Sequence, residues 1–284
     1  MIECLYMSYI KTLQEIEEIE KGGRILGKIL EELSYMAKPG VSAWKIDKQA
    51  EKLIKKAGGR PAFKGYRGRE EDTPFPSTIC ASINHDLVHG IATKEKILKD
   101  GDIFSIDIGM EWPCNSKKYK LKSIKSERGY FTDTAITVIV GQVPEKTKQL
   151  LNVTKKALEI GIEQCMVGNT VADIGRAIQD YVEPQGYGIV RDLVGHGVGH
   201  GVHEEPRVPN YYDKSLKKWK LEPGVVLAIE PMITVGGYAV ETAEDGWSIS
   251  TQDKSLCAHF EHTVVVTGDG PVVVTRRPQE IIAN

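Results

Sequence analysis

Four carboxylates, Asp107, Asp133, Glu230 and Glu261, sit inside or at the end of apolar, β-branched runs, and a glycine-rich stretch carries three histidines. The runs are Ile103-Phe104-Ser105-Ile106-Asp107, Asp133-Thr134-Ala135-Ile136-Thr137-Val138-Ile139, Val226-Leu227-Ala228-Ile229-Glu230 and Glu261-His262-Thr263-Val264-Val265-Val266. A single acid at a strand end is commonplace. Four of them brought to one apolar place repel each other unless cations neutralise them, which points to metal.

The glycine-rich stretch reads Gly195-His196-Gly197-Val198-Gly199-His200-Gly201-Val202-His203-Glu204-Glu205-Pro206. His196 and His200 have the i, i+4 spacing of a helical zinc motif, but the glycines argue against a helix, and no glutamate follows the first histidine. An extended segment of this kind lets the backbone pass close to a ligand while it presents imidazoles. One of these histidines is expected to ligate metal and one to act on substrate; His200 is left open between a role and none. His85, His89, His259 and His262 read as structural on the residues alone. Two Asp, two Glu and one imidazole make an oxygen-rich set without thiolate, suited to two divalent ions drawn from Mn, Fe, Co or Zn. A pair of such ions sharing carboxylates is a recurring arrangement for hydrolysis.

The elements that must position these side chains come in two copies. Gly22 to Ala37 is periodic as an amphipathic helix, stops at Lys38-Pro39-Gly40, and Ser42 opens a second helix that runs to Gly58-Gly59. Leu150 to Met166 is again amphipathic, stops at Gly168, and Thr170 opens another helix closed by Pro184 and Gly186. Ser42 and Thr170 are the expected caps. Each half then carries strands: Leu98-Lys99-Asp100-Gly101 leads to Asp107, and Leu221-Glu222-Pro223-Gly224 leads to Glu230. Aligned on those glycines, Asp107 falls opposite Glu230, and Asp133 falls within one residue of Glu261. Two helix–helix–strand halves related by a pseudo-two-fold would gather the four acids at the centre.

These residues, in this order, resemble the type I methionine aminopeptidases. The matching pieces are Asn84 through His89-Gly90, Ser105-Ile106-Asp107, Thr132-Asp133-Thr134, Gly195-His196-Gly197-Val198-Gly199, His203-Glu204-Glu205-Pro206, Ile229-Glu230-Pro231-Met232, Asp245-Gly246-Trp247-Ser248 and Phe260-Glu261-His262-Thr263. The resemblance runs from about Ile10 to Pro278. It implies an α+β pita-bread fold, two pseudo-symmetric halves around a central site. The implied organisation is an N-terminal tail over 1–10 and a single catalytic domain over 11–284. The implied activity is metal-dependent removal of the N-terminal methionine from nascent proteins and peptides with a small second residue, through a metal-bound hydroxide.

Carried over residue by residue, the resemblance implies Asp107, Asp133, His196, Glu230 and Glu261 as ligands of two divalent ions. Asp133 and Glu261 bridge, Asp107 binds one ion, and His196 with Glu230 completes the other. Glu230 is also the implied proton shuttle, and His89 and His203 the implied substrate histidines. Phe63, Tyr66, Phe75, Cys80, Val202 and Trp247 match positions lining the methionine pocket, which makes sense as a narrow apolar slot for a thioether.

Two stretches depart from the family pattern. One adds Arg69-Glu70-Glu71-Asp72-Thr73-Pro74 beside the expected pocket. The other, over about 111–129, holds Lys117, Lys118, Lys120, Lys122, Lys125 and Arg128, and from Trp112 to Gly129 Glu127 is the one acid. It is expected to be a solvated hairpin extension, with ribosomal RNA as the partner its charge would suit.

Rival readings fit less well. Prolidase, aminopeptidase P and creatinase share the fold but precede it with a separate domain, and the first helix here leaves that domain no room. The short interval between His196 and Glu230 leaves none for the helical insert of type II methionine aminopeptidases. A binding module that kept the fold and lost chemistry would be expected to have lost ligands, and all five stand. Composition agrees with an enzyme of the cytoplasm. The 284 residues carry 37 basic and 39 acidic side chains and are 41% hydrophobic, with no global pull toward nucleic acid or membrane. Five scattered cysteines, Cys4, Cys80, Cys114, Cys165 and Cys257, show no framework spacing and suit a reducing compartment. No run approaches the roughly 18 apolar residues of a membrane span. A monomer is expected, with translation starting at Met7.

Overall fold

The computed structural model describes residues 9–114 and 129–282. The lysine-rich run Lys117 to Arg128 and the expected start at Met7 lie outside the described residues.

Helix α1 spans Leu13–Ser34 and α2 spans Ala43–Lys56; α3 spans Glu145–Glu163 and α4 spans Val171–Val182. The first helix begins well before Gly22, where its periodic pattern starts. Thr12 and Glu15 close a capping box, the Thr12 amide donating to Glu15 Oε2 (2.7 Å) and the Glu15 amide to Thr12 Oγ1 (3.3 Å). Ser42 caps α2 by accepting from the Lys45 amide (3.4 Å), and at the head of α4 Asp173 accepts from the amide and hydroxyl of Thr170 (2.8 and 2.7 Å).

The sequence repeat is repeated in hydrogen bonds. In the first half the Ala43 amide donates to Lys96 O and the Leu98 amide to Val41 O. In the second, the Val171 amide donates to Trp219 O and the Leu221 amide to Asn169 O. The bridge Ser42–Ile97 has its counterpart in Thr170–Lys220. Gly40, Gly101, Gly168 and Gly224 all have positive φ, between 85° and 96°, so both halves turn at the same places with the same left-handed backbone.

Each helix pair covers its own sheet. Under α1 and α2, Arg60–Pro61, Ile103–Trp112 and Ile79–Ile83 lie in that order, and Tyr130–Ile139 also pairs with Ile103–Trp112. Under α3 and α4 the order is Gly270–Val273, His262–Thr267, Val226–Ile229, Gly195–Gly197 and Glu204–Val208. Leu26, Leu30 and Leu33 of α1 are buried against Ile79, Phe104 and Ile106; Leu150, Leu158 and Ile174 are buried against Leu227, Ile229 and Val264. Each such side chain contributes roughly 1.5–3 kcal/mol.

The two sheets meet where the acids are. Ala135 and Glu261 exchange backbone hydrogen bonds (3.4 and 3.0 Å). Thr263 Oγ1 accepts from the Asp133 amide and donates to Asp133 O, and Thr134 Oγ1 donates to Glu261 O. Threonine hydroxyls thus complete the seam that a continuous ladder would otherwise supply.

Candidate active site

Pairing register explains how the first two acids converge. Asp133 lies opposite Gly109, two residues from Asp107 on the neighbouring strand, so both side chains stand on one face of the sheet. His196 lies opposite Ala228, and Glu230 follows directly after that strand. Glu261 stands at the seam. Asp107, Asp133, His196, Glu230 and Glu261 all line one cavity of about 660 Å³, together with His89 and His203. Ligand atoms of Asp133, His196 and Glu261 lie within 4.8 Å of one another. Asp107 and Glu230 stand just outside that tight group: His196 Nε2 is 3.5 Å from Glu230 Oε1.

Burial, joined by the charges of Asp133 and Glu230, pushes the Asp107 carboxyl well above the carboxylate range; burial first and Asp133 second do the same to Glu230 and Glu261. Burial also raises Asp133. His196 is held down to about 3 by burial and by His203, and is neutral with a free lone pair. Its Nδ1 lies 2.9 Å from Gly197 O, which leaves Nε2 for the cavity. Asp107 Oδ1 is buried without a hydrogen-bond partner. Four carboxyls that resist ionising side by side, an orphaned carboxylate oxygen and a neutral imidazole together fit divalent cations.

The cavity wall has an apolar side. Phe63, Phe75 and Cys80 form a buried cluster with Val202 and Trp247 packed against it, and Phe75 meets Trp247 edge to face at 5.3 Å. Phe63, Tyr66, Phe75, Cys80 and Trp247 line the cavity, whereas Val202 packs behind them. The Cys80 thiol is raised by burial and by Asp107 and is inert. The additional residues Arg69 to Pro74 form a stitched turn. Arg67 donates to the carbonyls of Glu70 and Asp72 (3.1 and 2.6 Å), and Trp247 Nε1 donates to Thr73 O (3.0 Å), so the turn and the slot wall hold each other.

His89, structural on sequence alone, lines the cavity in a left-handed conformation (φ 57°). For a non-glycine residue this costs on the order of 1 kcal/mol and marks a side chain aimed by its surroundings. The next residue must be glycine, because a Cβ on Gly90 would meet Ala81 O at 2.3 Å. His203 stands at the open mouth, its Nδ1 2.9 Å from the Tyr66 hydroxyl and its ring 4.5 Å from that of His196. His200 turns away from the cavity, with Nε2 2.8 Å from Glu15 Oε1. His262 is tied to Thr275 Oγ1 (3.0 Å), and His85 faces Asp86 at 4.0 Å.

Several lining residues were given no role by the sequence reading: Leu193 and Arg207 escaped it, and Glu204 and Met232 stood only inside the matching motifs. His259 also escaped it: Nε2 lies 3.4 Å from Glu230 Oε2. Its place two residues before Glu261, on the same side of an extended segment, was the available signal.

The profile of metallopeptidase family M24 matches residues 17–268. A curated relative named methionine aminopeptidase, from Clostridium acetobutylicum, is 43% identical over 269 residues, covering 95% of this chain and 99% of its own. The chain belongs to metallopeptidase family M24. As an M24 member it overlays the crystal structure of methionine aminopeptidase from Thermotoga maritima with a TM-score of 0.84 at 38% identity, over 94% of this chain and 99% of that one. The prolidase from Pyrococcus horikoshii shares the fold with a TM-score of 0.72 at 24% identity, and 64% of its length is covered. The fold is the mixed α/β pita-bread fold of M24.

Proposed function

We propose that this M24 enzyme removes the N-terminal methionine from nascent polypeptides and peptides whose second residue is small. The observation that carries the reading is the convergence of Asp133, His196 and Glu261 ligand atoms within 4.8 Å, in a cavity whose other wall is the Phe63–Phe75–Trp247 slot. The methionine aminopeptidase relatives, similar over nearly their whole length, support it.

Asp107, Asp133, His196, Glu230 and Glu261 would hold two divalent ions. Bound there, such ions supply Lewis acidity and a water of lowered pKa. The rest of the chemistry falls to side chains. Phe63, Tyr66, Phe75, Cys80 and Trp247, backed by Val202, bind the methionine side chain and exclude water around it. His89 and His203 donate hydrogen bonds to the scissile amide and to the oxygen that gains charge in the transition state. Tyr66 holds the His203 ring in place for this. Glu230, acting as its carboxylate, takes a proton from the attacking water and delivers it to the departing amine.

The reading extends to a cytoplasmic monomer with one catalytic domain over 11–284, and to docking on ribosomal RNA through Lys117 to Arg128. No helix among the described residues is long and apolar enough to cross a membrane.

Mass spectrometry of peptides incubated with the manganese-loaded protein tests the central reading. Met-Ala-Ser peptides should lose one methionine and nothing more, while Leu-Ala-Ser peptides should persist. Sequential trimming of both would refute it.

A further inference from the structure

His259 is 1% exposed, and neither of its ring nitrogens has a hydrogen-bond partner. Four other histidines are different. His196, His200, His203 and His262 each place a ring nitrogen within hydrogen-bond distance of a carbonyl, carboxylate or hydroxyl. An unpartnered imidazole in a protein interior is costly and needs a reason.

Its surroundings hold it still. The His259 amide donates to Thr137 Oγ1 (2.9 Å), the same hydroxyl lies 2.9 Å from His259 O, and Ser105 Oγ adjoins it at 2.8 Å. His259 also pairs across the sheet with Met232. From this fixed frame Nε2 reaches to 3.4 Å from Glu230 Oε2, while His196 Nε2 stands 3.5 Å from Glu230 Oε1. Asn210 Nδ2 donates to the Glu230 carbonyl (3.0 Å), so the backbone beneath that carboxylate is anchored as well. Glu230 lies between two imidazoles, one at each oxygen. His196 lines the cavity; His259 does not, so it meets Glu230 from behind.

We propose that His259 is a positioning residue for Glu230: its ring stands behind the carboxylate with Nε2 3.4 Å from the rear oxygen, and this contact keeps the other oxygen turned toward the cavity beside His196. This rests on the proposed function, in which Glu230 holds an ion and carries a proton. His259 touches neither substrate nor ion; it acts through Glu230. A ligating carboxylate free to rotate would present its oxygens in several directions, and outer partners of metal ligands commonly set affinity for this reason.

The test uses the full chain, stripped with chelator and titrated with manganese by calorimetry, together with kcat and KM on a Met-Ala-Ser peptide and the melting temperature of the stripped protein. His259→Leu should weaken uptake of one ion by about 10–100-fold and lower kcat, with KM nearly unchanged. His259→Gln, which keeps an N–H donor, should recover most of both. The melting temperature of the stripped leucine variant should match or exceed that of the parent, because an unpartnered polar group has been removed. His259→Asn, too short to reach Glu230, should repeat the leucine result and covers the case of an unstable leucine variant. Parental ion affinity and kcat in His259→Leu or His259→Asn would overturn the proposal. Failure of the unaltered protein to take up manganese would instead overturn the functional reading beneath it.

Discussion

Lys11 and Glu204 are joined by a buried ion pair: Lys11 Nζ lies 2.5 Å from Glu204 Oε2, with side chains 1% and 13% exposed. The other oxygen, Glu204 Oε1, accepts from the Gly201 amide (2.6 Å). Gly199, at φ 135°, adopts a backbone conformation that favours glycine, and a Cβ there would meet Lys11 Cε at 2.6 Å. The segment just before α1 thus fastens the loop that presents His203 at the cavity mouth. Lys11→Met leaves Glu204 without its cation, so stability should drop by roughly 3 kcal/mol. The melting temperature should fall by several degrees and kcat with it, and Lys11→Arg should fall less. Unchanged melting in Lys11→Met would show that the pair is solvated and contributes little.

Asp133 stands with His196 and Glu261 in the tight group, and Asp107 is not part of it. Asp133→Ala and Glu261→Ala should each lower turnover by roughly two to three orders of magnitude, the scale of losing transition-state charge stabilisation. Asp107→Ala should mainly weaken one ion, with turnover partly restored by excess manganese. Near-normal turnover in Asp133→Ala across several metals is the outcome that cannot be reconciled with this site.

Second-residue choice follows from the cavity shape. With methionine in the Phe63–Phe75–Trp247 slot, the next side chain lies near the crowded His89 and His203 rings, which favours Gly, Ala, Ser, Thr or Val. Met-Ala peptides should exceed Met-Lys peptides in kcat/KM by roughly 100-fold. Equal rates for the two would mean that the second side chain points out of the cavity.

Away from the site, Arg276 grips Glu159 through two bonds of 2.5 and 2.6 Å. Burial alone would raise the Glu159 carboxyl, but the Arg276 bonds and charge outweigh it and hold the group below its ordinary 4.5. A depressed carboxyl stabilises the fold above its unfolded pKa and ceases to do so as pH falls through its folded value. The parent should therefore melt higher than Glu159→Gln at pH 7, and the gap should narrow as pH falls below 4.5 and through the lower folded value. A gap that persists at pH 2 would assign the difference to packing.

The strand acids were legible because the repeat fixes their places: Asp107 and Glu230 align on Gly101 and Gly224, and hydrogen bonds of both halves keep that correspondence. The helix pairs were legible from periodicity, except the start of α1, where the Thr12–Glu15 box rather than an apolar stripe begins the helix. His89 was not legible from its neighbours alone. Its role depends on φ 57° and on the approach of Gly90 to Ala81, neither of which leaves a periodic trace. His200 was left open by its neighbours, and its partner Glu15 lies 185 positions away. The contact between Lys11 and Glu204 escaped for the same reason. Contacts between distant segments are fixed by how the halves close, which local sequence does not encode.

The most direct measurement follows methionine release from a Met-Ala-Ser peptide while manganese is titrated into the chelator-stripped protein. Turnover should be absent at the start and rise in step with ions bound, and Glu261→Gln should take up less metal and stay inactive. Full turnover by the stripped protein, or undiminished turnover by Glu261→Gln, would contradict the assignment of this carboxylate cage as the catalytic centre.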